Sequence, residues 1–151
     1  MMHVLFENIV PQLLNSWRGR YKNDKDDKGK DVQDERNFVF TDAVWEEIKA
    51  EVLASNTMVP SQWAPYVNPI DRKSFWTAET YSYFVMHLGP IILQGRLPEA
   101  HYQHFLKLSE MTKVLVKSDI AFARLEVMER ELVRWVKDFE RYVPHAESLF
   151  G

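Results

Sequence analysis

Apolar residues recur along this chain mainly at helical spacing. From Leu125 they fall at Leu125, Met128, Leu132, Trp135, Phe139 and Tyr142, a strict alternation of three and four. That spacing draws one stripe down a helix of about six turns, predicted over about 119–143. Ser118 or Asp119 can cap its start and Pro144 stops it. Before it, residues 99–116 form another predicted helix. Pro98 and Glu99 suit its first turn, and Phe105, Leu108, Thr112 and Leu115 share a face. Tyr81, Phe84, Val85, Leu88, Ile91 and Ile92 mark a third stripe, with Thr77 as N-cap and Gly95 placed to end it. Gly95-Arg96-Leu97-Pro98 is then a tight connection, which makes the helices on either side antiparallel neighbours.

The first part of the chain is less regular. Leu5, Ile9, Leu13, Leu14 and Trp17 outline a short helix over 2–18 that Pro11 kinks or delays. Residues 22–36 hold five basic and six acidic side chains and almost nothing apolar, the pattern of a long solvated loop. Val44, Ile48 and Val52 restore helical spacing over 41–54. Residues 56–73 carry Pro60, Pro65 and Pro69, so they form an ordered loop whose aromatics, Trp63 and Tyr66, pin it across the helices. Only residues 37–41 read as strand-like, and one strand makes no sheet. The expectation is a single all-α domain over 1–151, a bundle of about five helices with the last as its spine.

Composition agrees with a packed globular domain: 46% apolar, 27% charged and 13% aromatic. Cys is absent, which removes disulfides, thiolate metal sites and Cys nucleophiles. Nineteen basic against 22 acidic residues give a net charge of −3, without the basic excess of an autonomous nucleic-acid binder. No apolar run reaches the ~20 residues needed to cross a bilayer, so no membrane partner is expected. The cell interior is the expected location.

Chemical motifs are sparse. There is no Gly-rich phosphate loop and no Gly-x-Ser-x-Gly elbow. His101 and His104, three apart, could share a helical face for a metal, but no His-Glu-x-x-His accompanies them and the pair reads as surface histidines. Glu79, Tyr83 and His87 at spacing four form either a polar strip beside a cleft, where a carboxylate could hold a divalent cation, or the solvated flank of a helix. His3, Glu7 and Asn8 stand in an otherwise apolar opening helix, where the simplest reading is a frayed terminus.

Longer stretches carry a resemblance. Met2-His3-Val4-Leu5-Phe6-Glu7-Asn8-Ile9-Val10-Pro11, then Leu14-Asn15-Ser16-Trp17-Arg18-Gly19, resemble a segment of the CACTA-type (En/Spm-like) transposases abundant in fungal genomes. Val59-Pro60-Ser61, Phe75-Trp76-Thr77-Ala78-Glu79, Gly89-Pro90-Ile91-Ile92-Leu93-Gln94-Gly95-Arg96-Leu97-Pro98 and Tyr102-Gln103-His104-Phe105 follow in the same order. The resemblance spans nearly the whole chain.

It implies part of a DDE transposase, an RNase H-like enzyme in which three carboxylates hold two Mg²⁺ ions for in-line attack on a DNA phosphodiester. The family's second Asp stands three residues before a His in an Asp-x-Met-His pattern. His3 matches that His, which puts the Asp one position before Met1. The third carboxylate belongs on a helix after a helical insertion, and Glu79 in Thr77-Ala78-Glu79 matches it, which implies a metal ligand of an incomplete site. The backbone near Met1, or that of His3 and Val4, is then expected within roughly 10–12 Å of Glu79, with Glu79 in a shallow cleft beside His3. By this implication the isolated chain needs no cofactor and does not cut DNA. It meets transposon DNA only within a longer, nuclear transposase. Two alternatives stand beside it. One is a helical interaction module, a homo-oligomer or transposase partner, which clusters of exposed Trp or Tyr would favour. The other is an accessory DNA-binding domain, which requires Lys107, Lys113 and Lys117 to segregate on one helix.

Overall fold

The computed structural model describes residues 4–19, 38–117 and 122–142, with side chains at 7–19, 38–72, 75–117 and 126–140. The charged stretch 22–36, His3, the Ser118 and Asp119 caps and the Pro144 stop lie outside these residues. So do the side chains of Leu5, Leu125 and Tyr142.

The described residues are all-α and contain no strand. A π-helical turn, Val4–Ile9, leads into α1 (Val10–Trp17). α2 spans Asp42–Met58. A Pro-rich segment and a 3₁₀ turn, Ile70–Phe75, lead to α3 (Ala78–Tyr83), a second π-turn (Phe84–Leu88) and α4 (Gly89–Ile92), which follow one another as a single helical run. α5 is Glu99–Leu115 and α6 is Phe122–Tyr142. These make five helical runs. No helix among the described residues is long and apolar enough to cross a membrane.

The caps follow from the sequence. Thr41 Oγ1 accepts the Val44 N–H and Thr77 Oγ1 accepts the Thr80 N–H, each at 3.3 Å, satisfying donors that a helix start leaves free. Gly95 adopts φ +76°, a conformation that costs a side-chain-bearing residue energy, and turns the chain toward Pro98 and α5. The turn is then fastened. Arg96 donates to the Ile92 carbonyl at 2.8 Å and reaches across to both carboxylate oxygens of Glu51 on α2, at 2.9 and 2.6 Å.

Both π-turns precede a proline at the start of an α-helix, Pro11 in α1 and Pro90 in α4. A proline inside a helix lacks the N–H for the carbonyl four residues back and its ring crowds that carbonyl, so the wider turn relieves the conflict. Around Pro90 the neighbouring helix takes up the slack. Ser109 Oγ donates to the freed Met86 carbonyl at 3.4 Å and the Tyr102 hydroxyl donates to the Pro90 carbonyl at 2.7 Å. These contacts also show α4 and α5 running antiparallel, as the tight connection requires. The extra residue in the turn shifts the stripe. Phe84, Val85, Leu88, Ile92 and Leu93 are buried, whereas Ile91, expected inside, is 75% exposed.

The core is aromatic. Phe105 on α5 meets Trp17 edge-on at 5.9 Å and Phe84 at 6.3 Å, and Trp76 packs on Tyr81 and Phe84. Phe38 and Phe40, in the stretch that looked strand-like, instead cover the end of α1, where the Phe40 N–H donates to the Trp17 carbonyl at 2.8 Å. α6 lies on α5 through the expected stripe of Met128, Leu132, Trp135 and Phe139, widened by Val136.

The Pro-rich segment is anchored differently from the expectation. Trp63 and Tyr66 are 75% and 65% exposed, so they pin nothing. Val67, Ile70 and Trp76 are the buried anchors. Asn56 grips the Val67 backbone twice at 2.8 Å, and Trp76 Nε1 donates to the Asn68 carbonyl at 2.8 Å. Polar groups hold this loop because its prolines leave few backbone partners of its own.

Candidate functional site

Glu79 sits in the first turn of α3, two residues after the Thr77 cap, with its side chain exposed. α3 packs against the opening turn Val4–Ile9, so the two ends of this stretch, more than seventy residues apart in sequence, lie side by side. At their junction Tyr81 is buried, and its phenol is pushed above its ordinary range by that burial, with the Glu7 charge adding to the rise. His3, the other sequence candidate, lies outside the described residues.

The strip Glu79–Tyr83–His87 is split by the second π-turn. Glu79 and His87 are exposed. Tyr83 is half-buried, with its ring 5.8 Å from the His87 imidazole, and it lines a small groove with Asn56, Val59, Pro65 and Tyr66.

His101 and His104 are not surface residues. Both are buried, 7% and 6% exposed. The His104 ring lies flat on Trp135 of α6 at 4.3 Å, its Nε2 sits 3.2 Å from the Trp135 carbonyl, and Trp135 Nε1 donates back to the His104 carbonyl at 2.7 Å. His101 packs toward Phe38. The spacing that suggested a metal pair serves helix packing. Among the described residues no three His, Cys, Asp or Glu side chains gather as a metal would need.

One of the two lysines of α5 is paired: Lys113 meets Glu110 at 3.1 Å, whereas Lys107 shares a groove between α5 and α6 with Glu110, Glu131, Arg134 and Asp138, and Lys117 is exposed just past the end of the helix. Sequence reading missed the Arg96–Glu51 clamp and the Asn56–Val67 grip, since neither leaves a local pattern. Comparison with family models, with curated proteins and with solved structures finds no match.

Proposed function

We propose that this chain is the helical part of a DDE-type DNA transposase of the CACTA kind and contributes one carboxylate, Glu79, to a metal site whose other ligands lie outside it. The observation that carries the reading is the packing of Val4–Ile9 against Ala78–Tyr83. It sets the segment that follows the position the resemblance gives the second carboxylate beside the helix that carries the third, and it leaves Glu79 exposed. The parent enzyme would use Mg²⁺, and the isolated chain is not competent for strand transfer. The test is a nicking and strand-joining assay on supercoiled DNA with Mg²⁺ or Mn²⁺. The purified chain is expected to be inert, and metal-dependent cleavage that disappears in Glu79→Ala would mean a complete site is present.

One surface favours a second reading, a helical protein–protein interaction module. Met58, Trp63, Tyr66 and Phe75 stand exposed on or beside the braced Pro-rich segment. Large aromatics held rigid at a surface bind at low entropic cost. A photo-crosslinker at position 63 tests it in cells. One discrete adduct is expected, and no adduct or a broad smear argues against the module.

A further inference from the structure

The surface that follows α2 sets a projecting side chain beside a recess. From Val52 to Ile70 the sequence holds no charged residue, in a chain that is 27% charged. Met58, Trp63 and Tyr66 of this stretch are 78%, 75% and 65% exposed. Next in the chain to Met58 is Val59, which lines a groove of about 50 Å³ with Asn56, Pro65, Tyr66 and Tyr83. Asn56 uses both ends of its amide on the Val67 backbone, so the groove is chiefly aromatic and aliphatic in character. At ~10–15 Å³ for one water, it admits three or four heavy atoms. The indole of Trp63 is too large to enter. The Cγ–Sδ–Cε end of a methionine is three atoms long, and its sulfur packs favourably at ring edges.

Building on the interaction-module reading, we propose that this surface joins two copies of the chain about a two-fold axis, with Met58 of each copy in the tyrosine-lined groove of the other. Composition selects the occupant. Interfaces between identical subunits are the more apolar class, enriched in aromatics and Met and poor in charge, as this surface is. A surface without charges also meets its own copy with no like charges opposed. The placing of knob and recess agrees. Because they are neighbours, one two-fold axis fills both recesses and closes the contact, where a distant recess would propagate a chain of molecules. Met58, Trp63 and Tyr66 offer on the order of 500 Å² per copy. Across the pair that reaches about 1,000 Å², the least a stable interface clears, so the dimer is modest in affinity.

Sedimentation equilibrium of the whole chain provides the test. Mass above the 17.9 kDa monomer is expected to rise with concentration toward the dimer. Salt at about 1 M should not dissociate it, since no charge lies in the contact. Met58→Leu conserves volume and should retain association, whereas Met58→Lys should weaken it about tenfold or more. Lysine suits the C-terminal turn of α2, and circular dichroism checks that the variant stays folded. A wild type still monomeric at about 0.5 mM overturns the proposal. So does a dimer that salt dissociates or that Met58→Lys leaves intact, since either must use another surface. The crosslinker at position 63 separates this proposal from the reading beneath it. An adduct of twice the chain mass supports a second copy. An adduct of any other mass from a monomeric wild type overturns the second copy and keeps the module, and no adduct overturns both.

Discussion

His104 and Trp135 exchange hydrogen bonds in both directions while their rings stack, so the seam between α5 and α6 closes on one polar pair. Burial pushes the His104 imidazole down to about 4. The Trp135 carbonyl and Asp138 pull it back up in part, and His101 and Lys107 lower it further. The unfolded chain takes up this proton near the ordinary 6.5, the native chain only near 4. As pH falls through this interval the unfolded state gains protons first and stability drops. Above the ordinary value the residue adds no pH dependence. The full loss is roughly 3 kcal/mol at 1.36 kcal/mol per unit. Urea titrations at neutral pH and at about pH 4.5 should show it, and His104→Phe, which keeps a stacking ring, should flatten the slope relative to wild type. An unchanged slope would mean that His104 reaches water in the native state. Trp135→Ala removes both the ring and the reciprocal bond and should cost ~3–5 kcal/mol, read from the same titration at neutral pH.

The helical run from α3 to α4 is fitted against α5 at one point. A Cβ on Gly89 would come within 2.6 Å of Phe105 Cζ and 2.9 Å of the Phe84 carbonyl. Phe105 is fully buried and the carbonyl is part of the π-turn, so neither can yield cheaply. Gly89→Ala should therefore cost about 1–3 kcal/mol by overpacking, although alanine is the better helix former. A thermal midpoint equal to wild type would show that the close approach is not maintained. The ends of this run were legible in sequence because caps and glycine stops act locally: Thr77 accepts from Thr80 and Gly95 takes φ +76°. Its interior was less so. The stripe implied a regular helical period, and the π-turn before Pro90 broke that period by one residue, which is why Ile91 faces outward. Trp63 and Tyr66 were misplaced for a related reason. Hydrophobicity marks them for burial, but the prolines around them and the Asn56–Val67 grip settle which side of the loop faces in.

Across the described molecule, several motif residues of the transposase resemblance do structural work. Trp17 and Phe105 meet in the core, Trp76 fastens the Pro-rich segment and Thr77 caps α3. Gly89 admits Phe105, Arg96 ties the α4–α5 turn to α2, Tyr102 supports Pro90 and His104 holds α6. Glu79 differs. Its side chain is exposed, and its structural contribution reduces to the favourable placing of a negative charge in a first turn. This contrast in burial is measurable without activity. Arg96→Ala gives up a carboxylate clamp and a bond to a carbonyl, and should lower stability by about 1–2 kcal/mol, since Glu51 is half exposed and its pair is partly screened. Glu79→Gln keeps the size and hydrogen-bonding reach of the side chain and should change stability by about 0.5 kcal/mol or less. Denaturant midpoints of the two variants beside wild type decide the matter. A Glu79→Gln loss as large as that of Arg96→Ala would give Glu79 a structural partner and remove it as a free carboxylate. A loss near zero means that the fold does not depend on the Glu79 carboxylate.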